Sequence, residues 1–180
     1  MFNKCSKLNN LNVKNFKTNK VTDMSYMFNN CSNLNNLDIS NFKTNKVENM
    51  KAMFQNCSEL SNLNLSNFNK ENVNNMSYMC NRCSNLINLD ISNFKTNKVE
   101  DMSGMFQNCN TLEHLDLSNF NTANVTKMDN MFNNCNNLKS LNLLNFSLNC
   151  SINYIFSFPK NKCKFITNNK KLLNIYNLFK

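Results

Sequence analysis

The sequence is nearly devoid of the residues that shape most tight turns. It contains one Gly and one Pro in 180 residues, whereas an average domain has about 7% Gly and about 5% Pro. Because Gly and Pro favour tight turns for conformational reasons, their shortage argues against a compact fold built on such turns. Asn takes their place and makes up about a quarter of the chain.

Long apolar runs and a secretory leader are lacking too. No stretch approaches the ~20 apolar residues of a membrane-spanning helix, and Met1–Ser6 lacks the basic and apolar regions of a signal peptide. As written, the chain is expected in the cytoplasm, or at the cell surface or secreted if it is a fragment of a longer protein. Nine Cys, an odd number without an export signal, favour reduced thiols over a disulfide framework.

The charge is strongly basic, with 20 Lys and Arg against 11 Asp and Glu and a formal net charge of +9. Such a balance is typical of proteins that bind nucleic acid or membrane surfaces. An AT-rich genome also favours Asn, Lys, Phe and Ile, and this composition effect is the simpler explanation. Charge alone therefore does not identify a partner.

A period of 26 residues organises the chain from residue 1 to about 146. The positions that recur are mostly apolar, as expected for a stack of similar units that share one core. The clearest columns are Cys5, Cys31, Cys57, Cys83, Cys109 and Cys135; Phe16, Phe42, Phe68, Phe94, Phe120 and Phe146; and Leu11, Leu37, Leu63, Leu89, Leu115 and Leu141. A period of 26 residues falls in the range of leucine-rich repeats, and each unit has their pattern L-x-x-L-x-L at its centre.

Each repeat is predicted to contain two elements. Apolar residues over 47–57 fall at i, i+3, i+6, i+7 and i+10, a spacing typical of a helix with one buried stripe. The alternation over 63–66 predicts a short strand with Leu inward, and Phe68 lies at the turn that follows it. The expected fold is an α/β repeat, a leucine-rich-repeat solenoid of about six strand-helix repeats with a C-terminal cap.

The repeat M-x-x-M-F-x-x-C-x-x-L-x-x-L-D/N-L/I-S-N-F-x-T-x-x-V resembles the BspA-type leucine-rich repeat family, also described as a mycoplasma-type domain of unknown function. One copy runs from Met27 to Thr44, and the resemblance covers about four-fifths of the chain. It implies a solenoid that binds proteins or surfaces, in some members as a surface or virulence protein. The family pattern includes no catalytic residues that could be transferred to this chain.

The end of the chain departs from the period, which divides it into a solenoid over 1–146 and a capping segment over 147–180. Tyr154 and Phe158 are predicted to continue the helical stripe, which Pro159 ends, and residues 160–169 are polar and basic. A short amphipathic helix is predicted from Leu172, Leu173, Ile175, Tyr176 and Phe179. We expect it to cover the last repeat rather than to lie on a membrane.

The Cys column suggests core packing rather than chemistry. One Cys per repeat behaves as a small apolar residue in every layer, whereas a metal would need thiols gathered around one point. The pair Cys80 and Cys83 forms a single C-x-x-C, which is weak evidence for a zinc or redox site. Cys80 replaces the Phe found at this position in other repeats, so it is interpreted as a local packing defect. The alternative is that Cys80 is a reactive thiol whose pKa is lowered by the nearby Arg82.

Catalysis, cofactor binding and metal binding are not expected. The one His, His114, shares a strand face with Asp116 and Ser118, but three side chains that point the same way along one strand do not form a triad. Asp and Ser recur at these positions in other repeats without a His, which favours a ladder of paired polar groups.

The concave strand face is the predicted binding site for a protein partner of unknown identity. Residues that deviate from the columns, namely His114, Lys14 and Leu144, are the candidates for specific contacts. The predicted site residues share an outward, polar position on the strands: Asn36, Asp38, Ser40, Asn62, Asn64, Asn88, Asp90, His114, Asp116 and Ser118.

A lysine-rich edge offers an alternative partner, a polyanion or nucleic acid. Lysines flank the turn after the column Phe in three repeats, and acidic residues lie beside them in the sequence. Such a stripe could follow a phosphate backbone with strong salt dependence, although aromatic side chains for stacking bases are absent from it. We name it the lysine edge: Lys17, Lys20, Lys43, Lys46, Lys95 and Lys98.

Overall fold

The structure is a computed structural model that describes residues 1–68, 71–150, 152–157 and 163–178. It is a β-solenoid of about six coils, where a coil is one revolution from a strand to the next. Seven three-residue strands mark the coils: β1 (Asn10–Asn12), β2 (Asn36–Asp38), β3 (Asn62–Asn64), β4 (Asn88–Asp90), β5 (His114–Asp116), β6 (Ser140–Asn142) and β7 (Lys164–Ile166). One helix follows, α1 (Lys170–Asn177).

The strands pair in parallel and in the register of the sequence period. Leu11 lies opposite Leu37 in β1–β2, and Leu63 lies opposite Leu89 in β3–β4. The strands form three small sheets, of which β5–β6–β7 is the last along the chain. Strands β1 to β6 each begin one residue earlier than the 63–66 pattern predicts in its repeat, and their middle residue is the Leu that faces the core. The repeat solenoid with 26-residue spacing is thus confirmed.

The predicted helix in each repeat is wrong. Over 24–31 the backbone forms successive tight turns, with the amide N–H of Met27 and Cys31 donating to the carbonyls three residues earlier. Met24 N–H donates to Asn49 O at 2.9 Å and Asn30 N–H to Gln55 O at 2.7 Å, so alternate amides bind the next coil. An α-helix would instead use these amides for i→i−4 bonds. We call this series of inter-coil bonds the turn ladder.

Left-handed backbone conformations explain why the segment is not helical. Tyr26 and Asn30 have φ of 55° and 59°, and the equivalent residues of later coils share the conformation. Turns with i→i+3 bonds and a positive φ at the third residue need such positions, and Asn tolerates them best among residues other than Gly. The expectation that scarce Gly and Pro disfavour tight turns is therefore wrong, because Asn supplies many of these positions.

The core consists of the predicted columns. Cys31, the Leu column residue Leu37 and Phe42 are all buried, and so are their equivalents in most later coils. A second Phe column stacks ring on ring, with centroids 5.7 Å apart for Phe28 and Phe54. Cys5, the first member of the Cys column, is exposed.

The Cys column also bonds neighbouring coils. Each buried column thiol donates to a carbonyl 29 residues earlier, as Cys57 Sγ does to Phe28 O at 3.1 Å and Cys135 Sγ does to Phe106 O at 3.0 Å. Cys is thus favoured here both by its small volume and by its S–H donor.

The last coil is two residues shorter than the others. Leu141 pairs with Phe165, 24 residues away, and the ring of Phe156 stacks on Phe132 at 6.1 Å. Ile155 and Phe156 therefore continue the buried columns, whereas Tyr154, which was predicted to do so, is exposed. Strand β7 lies within 160–169, which was predicted only to be polar and basic. The 26-residue period did not predict this strand because the last coil is two residues shorter. Phe158, Pro159 and Phe179 lie outside the described residues.

The predicted C-terminal helix is confirmed as α1. Asn169 caps its N-terminus by accepting from Leu172 N–H at 3.1 Å. Leu172 and Tyr176 are buried against the last coil, while Leu173 is exposed. In the described part of the chain, no helix has the length and apolarity to cross a membrane.

Replacing Gly104 by Ala is expected to destabilise the fold by about 1–3 kcal/mol. Gly104 has φ of +57°, and an added Cβ would lie 2.5 Å from Cε1 of Tyr78. Ala52 is the equivalent residue two coils earlier, and it follows Tyr26 in the turn ladder as Gly104 follows Tyr78. Tyr26 is 38% exposed, so a tyrosine ring that moves toward solvent leaves room for the Ala side chain. In a Tyr78→Ala background the substitution should therefore lose part of its effect. Urea unfolding of the four proteins checks this cycle; an equal effect in both backgrounds would contradict the contact.

Candidate functional site

The strand face presents the predicted site residues as one polar surface. Side chains alternate along each strand, so the central Leu faces the core and its neighbours face outward. In β2 and β5 the first and third residues are exposed and the second is buried. All ten predicted site residues lie on this face; nine of them are exposed, and Ser118 is half-buried.

Short hydrogen bonds within each coil fix the acidic side chains. Ser40 Oγ donates to Asp38 Oδ1 at 2.7 Å, and Ser92 repeats this bond to Asp90. Hydrogen bonds from Ser40 hold the pKa of the Asp38 carboxyl below its ordinary value; Ser118 has the same effect on Asp116. These two carboxylates therefore stay ionised at neutral pH, in a fixed orientation.

Other side chains bond between coils. Asn88 Nδ2 donates to Asn62 Oδ1 at 2.6 Å, and His114 Nδ1 lies 2.8 Å from Ser140 Oγ. The predicted ladder of polar pairs thus exists in two forms, one within a coil and one between coils. Both forms orient the polar side chains that take part in them.

Three clefts divide the strand face. The first, of about 450 Å³, contains Lys14, Asn36 and Asp38. The second, of about 510 Å³, brings together Asn62, Asn64, Asn88, Asp90 and His114. The third, of about 590 Å³, joins Asp90, His114, Asp116 and Ser118 to Lys164. We call them the first, middle and last clefts; Ser40 is bonded to Asp38 beside the first cleft.

Ile87, which sequence reasoning missed, lies in the middle cleft. Its side chain is 57% exposed, next to the half-buried Leu89 of β4. A signal was present in the sequence, since Ile87 is the one apolar residue in a column otherwise filled by Asn9, Asn35, Ser61, Glu113 and Lys139. Ile87 and Leu89 thus place apolar surface in a cleft whose other side chains are mostly polar.

The deviating residues differ in what they contribute. Lys14 is exposed in the first cleft, whereas Leu144 is half-buried. Both retain the backbone bond of the Ser column, in which the amide N–H donates to the Oδ1 of the Asp or Asn two residues earlier. The turn therefore does not depend on Ser. Lys14 keeps the turn and adds a positive charge to the strand face.

His114 does not combine with Asp116 or Ser118. Its ring contacts Ser140 of the next coil, and its Nε2 lies 4.0 Å from Glu113 Oε2. Glu113 is bound instead to Lys139 Nζ at 2.7 Å, and this hydrogen bond lowers the pKa of the Glu113 carboxyl. The carboxylate is thus too far from the imidazole to orient it as in a catalytic triad.

The lysine edge is partly engaged by neighbouring polar groups. Lys95 Nζ forms an ion pair with Glu71 at 3.0 Å, and Lys98 Nζ donates to Asn72 Oδ1 at 2.9 Å. A cleft of about 700 Å³ beside Lys98 also contains Glu48 and Glu100. Around Lys95 and Lys98, the lysine edge therefore carries both positive and negative side chains.

The cysteines give no sign of a reactive or metal-binding centre. Cys80 and Cys83 are fully buried, and the hydrogen bond with Cys83, followed by burial, raises the pKa of the Cys80 thiol. All nine cysteines are free thiols. Among the described residues, no group of three or more His, Cys, Asp and Glu side chains is placed to hold a metal ion.

We expect iodoacetamide at pH 8 to label the native cysteines in the order of their exposure. Cys5 is exposed and should react first; Cys150 and Cys163 are half-buried, and burial raises the pKa of both thiols. The six buried thiols should react only after unfolding, because the thiolate is the reactive form and burial raises the pKa of Cys135, for example, to about 12. Mass spectrometry of the labelled peptides checks this order. Labelling of Cys80 as fast as Cys5 would contradict the buried position.

The coils, their shared core and their repeated outer face define a repeat solenoid protein. The chain belongs to the family described as Mycoplasma protein of unknown function, DUF285, which matches residues 1–87 and 59–169. No curated protein and no solved structure matches the chain.

Proposed function

We propose that the chain is a non-catalytic repeat protein that binds a protein partner through its strand face. The observation that carries this proposal is Ile87, an exposed apolar side chain set among ordered polar groups in the middle cleft. Protein interfaces combine an apolar centre with a polar rim in the same way. We propose further that the coils are a BspA-type leucine-rich repeat variant in which the L-x-x-L-x-L residues line the inner side of the strands.

The rigidity of the face supports binding. Asp38 and Asp90 are held by their Ser partners, and Asn62 is held by Asn88. Because these side chains are already ordered, they lose less conformational entropy when a partner binds than mobile side chains would.

The chemistry of the face indicates the kind of partner. Asp90 lines both the middle and the last cleft, and Asp116 adds a second carboxylate in the last cleft. A suitable partner segment carries one aliphatic or aromatic side chain to cover Ile87, with Lys, Arg or amide groups to either side.

Affinity capture from cell lysate at physiological salt tests the proposal. We expect the intact chain to retain a protein after nuclease treatment, and Ile87→Asn to reduce its recovery at least tenfold. A His114→Ala/Asp116→Ala variant should also reduce recovery. Tyr154→Asn, which removes an exposed side chain away from the strand face, is the matched control and should bind as the intact chain does.

The lysine edge predicts a different outcome. Capture that nuclease abolishes, that Lys95→Ala/Lys98→Ala reduces and that Ile87→Asn leaves unchanged would refute strand-face binding and favour a polyanion. Such binding should fall steeply as salt increases.

A further inference from the structure

One ladder of side chains outside the strand face is interrupted at a single residue. Asn56 Nδ2 donates to Asn30 Oδ1 at 2.6 Å, and Asn134 Nδ2 donates to Asn108 Oδ1 at 3.0 Å. Arg82 occupies the same column in the coil between Asn56 and Asn108. The ladder therefore has a gap of one coil.

Arg82 is an unfavourable choice for this position. It has φ of 60°, where Asn is tolerated better than long side chains. It is the only Arg in the chain, its side chain is exposed, and within the described residues its guanidinium has no hydrogen-bond or ion-pair partner. A residue that breaks a local rule without a structural gain is expected at functional sites.

The interruption leaves hydrogen-bond donors that point to an anion. Asn108 uses its Oδ1 for Asn134, which leaves its Nδ2 for the coil of Arg82. Asn56 donates its Nδ2 to Asn30, so its acceptor Oδ1 is left on the side of Arg82 that is away from Asn108. Arg82, Asn108 and Ser84 line the same cleft, so a guanidinium, an amide and a hydroxyl offer donors there.

The cleft is large enough for a small anionic group. It has a volume of about 540 Å³ and shares no residue with the three strand-face clefts. Its walls carry Ser, Asn and Arg without an acidic residue, so no carboxylate of the cleft itself competes for the guanidinium. Planar guanidinium groups bind carboxylate and phosphate oxygens with two parallel hydrogen bonds.

We propose that Arg82, with Asn108 and Ser84, forms a binding site for a carboxylate or phosphate group. This site is independent of the strand face and of the partner proposed to bind there. The two possible sources of the anion, a carboxylate and a phosphate, share the same recognition chemistry.

NMR can report on this site directly, because a single Arg gives a single side-chain Nε–Hε signal. We expect inorganic phosphate or acetate to shift this signal and the side-chain amide of Asn108 in a saturable manner. The anion that saturates at the lower concentration identifies the preferred source. Sodium chloride at matched ionic strength should shift both signals less and without saturation.

Two substitutions separate binding from folding. Arg82→Asn restores the Asn column, so it should fold with an unfolding midpoint no lower than that of the intact chain, yet weaken anion binding at least tenfold at Asn108. Lys46→Asn, on the lysine edge, removes an equal charge and should leave binding unchanged. Unsaturable shifts identical to those in chloride, or unchanged binding by Arg82→Asn, would overturn the proposal.

Discussion

Replacing Phe132 by Ala is expected to reduce the free energy of unfolding by about 3–5 kcal/mol. The ring is fully buried and lies between Phe106 and Phe156, with both centroid distances 6.1 Å and the planes nearly parallel. The substitution opens a cavity between two coils and removes contacts on both faces of the ring. Since total stabilities are about 5–15 kcal/mol, equilibrium urea unfolding should show a clear loss.

Two control substitutions make this result specific. Phe132→Leu keeps most of the apolar volume and should have a smaller effect, about 1–2 kcal/mol. Leu178→Ala changes a side chain that is 78% exposed and should change stability by less than about 0.5 kcal/mol. A loss below about 1 kcal/mol for Phe132→Ala would contradict the stacked column.

Removing the ring of Tyr176 should unfold the last coil before the others. Tyr176 stacks on Phe165 with centroids 4.2 Å apart, meets Phe156 edge-on and donates its hydroxyl to Cys163 O at 3.0 Å. Tyr176→Ala is expected to destabilise this end by about 3–5 kcal/mol. Because coils of a solenoid contact mainly their neighbours, the effect should be local.

Hydrogen exchange resolves where the effect falls. Amides of Lys164–Ile166 in β7 should lose protection, whereas those of β3 should keep it. Tyr176→Phe removes only the hydroxyl bond and should lose about 1 kcal/mol. Equal loss of protection in β3 and β7 would show that α1 does not act as a local cap.

The repeated columns could be predicted from sequence because every coil offers the same environment at the same step. Leu37 and Phe42 are buried for the same reason as their equivalents 26 residues later, so periodicity alone identifies the core. The strands followed from the alternation around Leu63, and α1 followed from Leu172 and Tyr176.

The helical half was predicted wrongly because successive turns place apolar residues inward at nearly the spacing of a helix. The deciding signal was the column of Asn30, Asn56 and Asn108, which tolerate positive φ. Strand β7 was missed because a two-residue shortening moved Phe165 out of its column.

The candidate site was predictable in part. The alternation of polar and apolar residues identified the outward side chains, including Asp38 and His114. It could not show that Asp38 is bound within its coil or that His114 bonds to Ser140, because those contacts depend on side-chain conformation. Ile87 and Arg82 differ from their columns, and only the surrounding coils reveal that one is an exposed apolar group and the other an exposed cation.

Scalar couplings across hydrogen bonds test the turn ladder, on which the whole solenoid depends. We predict NMR couplings from the amide nitrogen of Met50 to the carbonyl carbon of Asn75, and from that of Met76 to the carbonyl carbon of Asp101, since both N–O distances are 2.9 Å. Couplings from these amides to carbonyls four residues earlier would instead indicate helices and would contradict the β-solenoid.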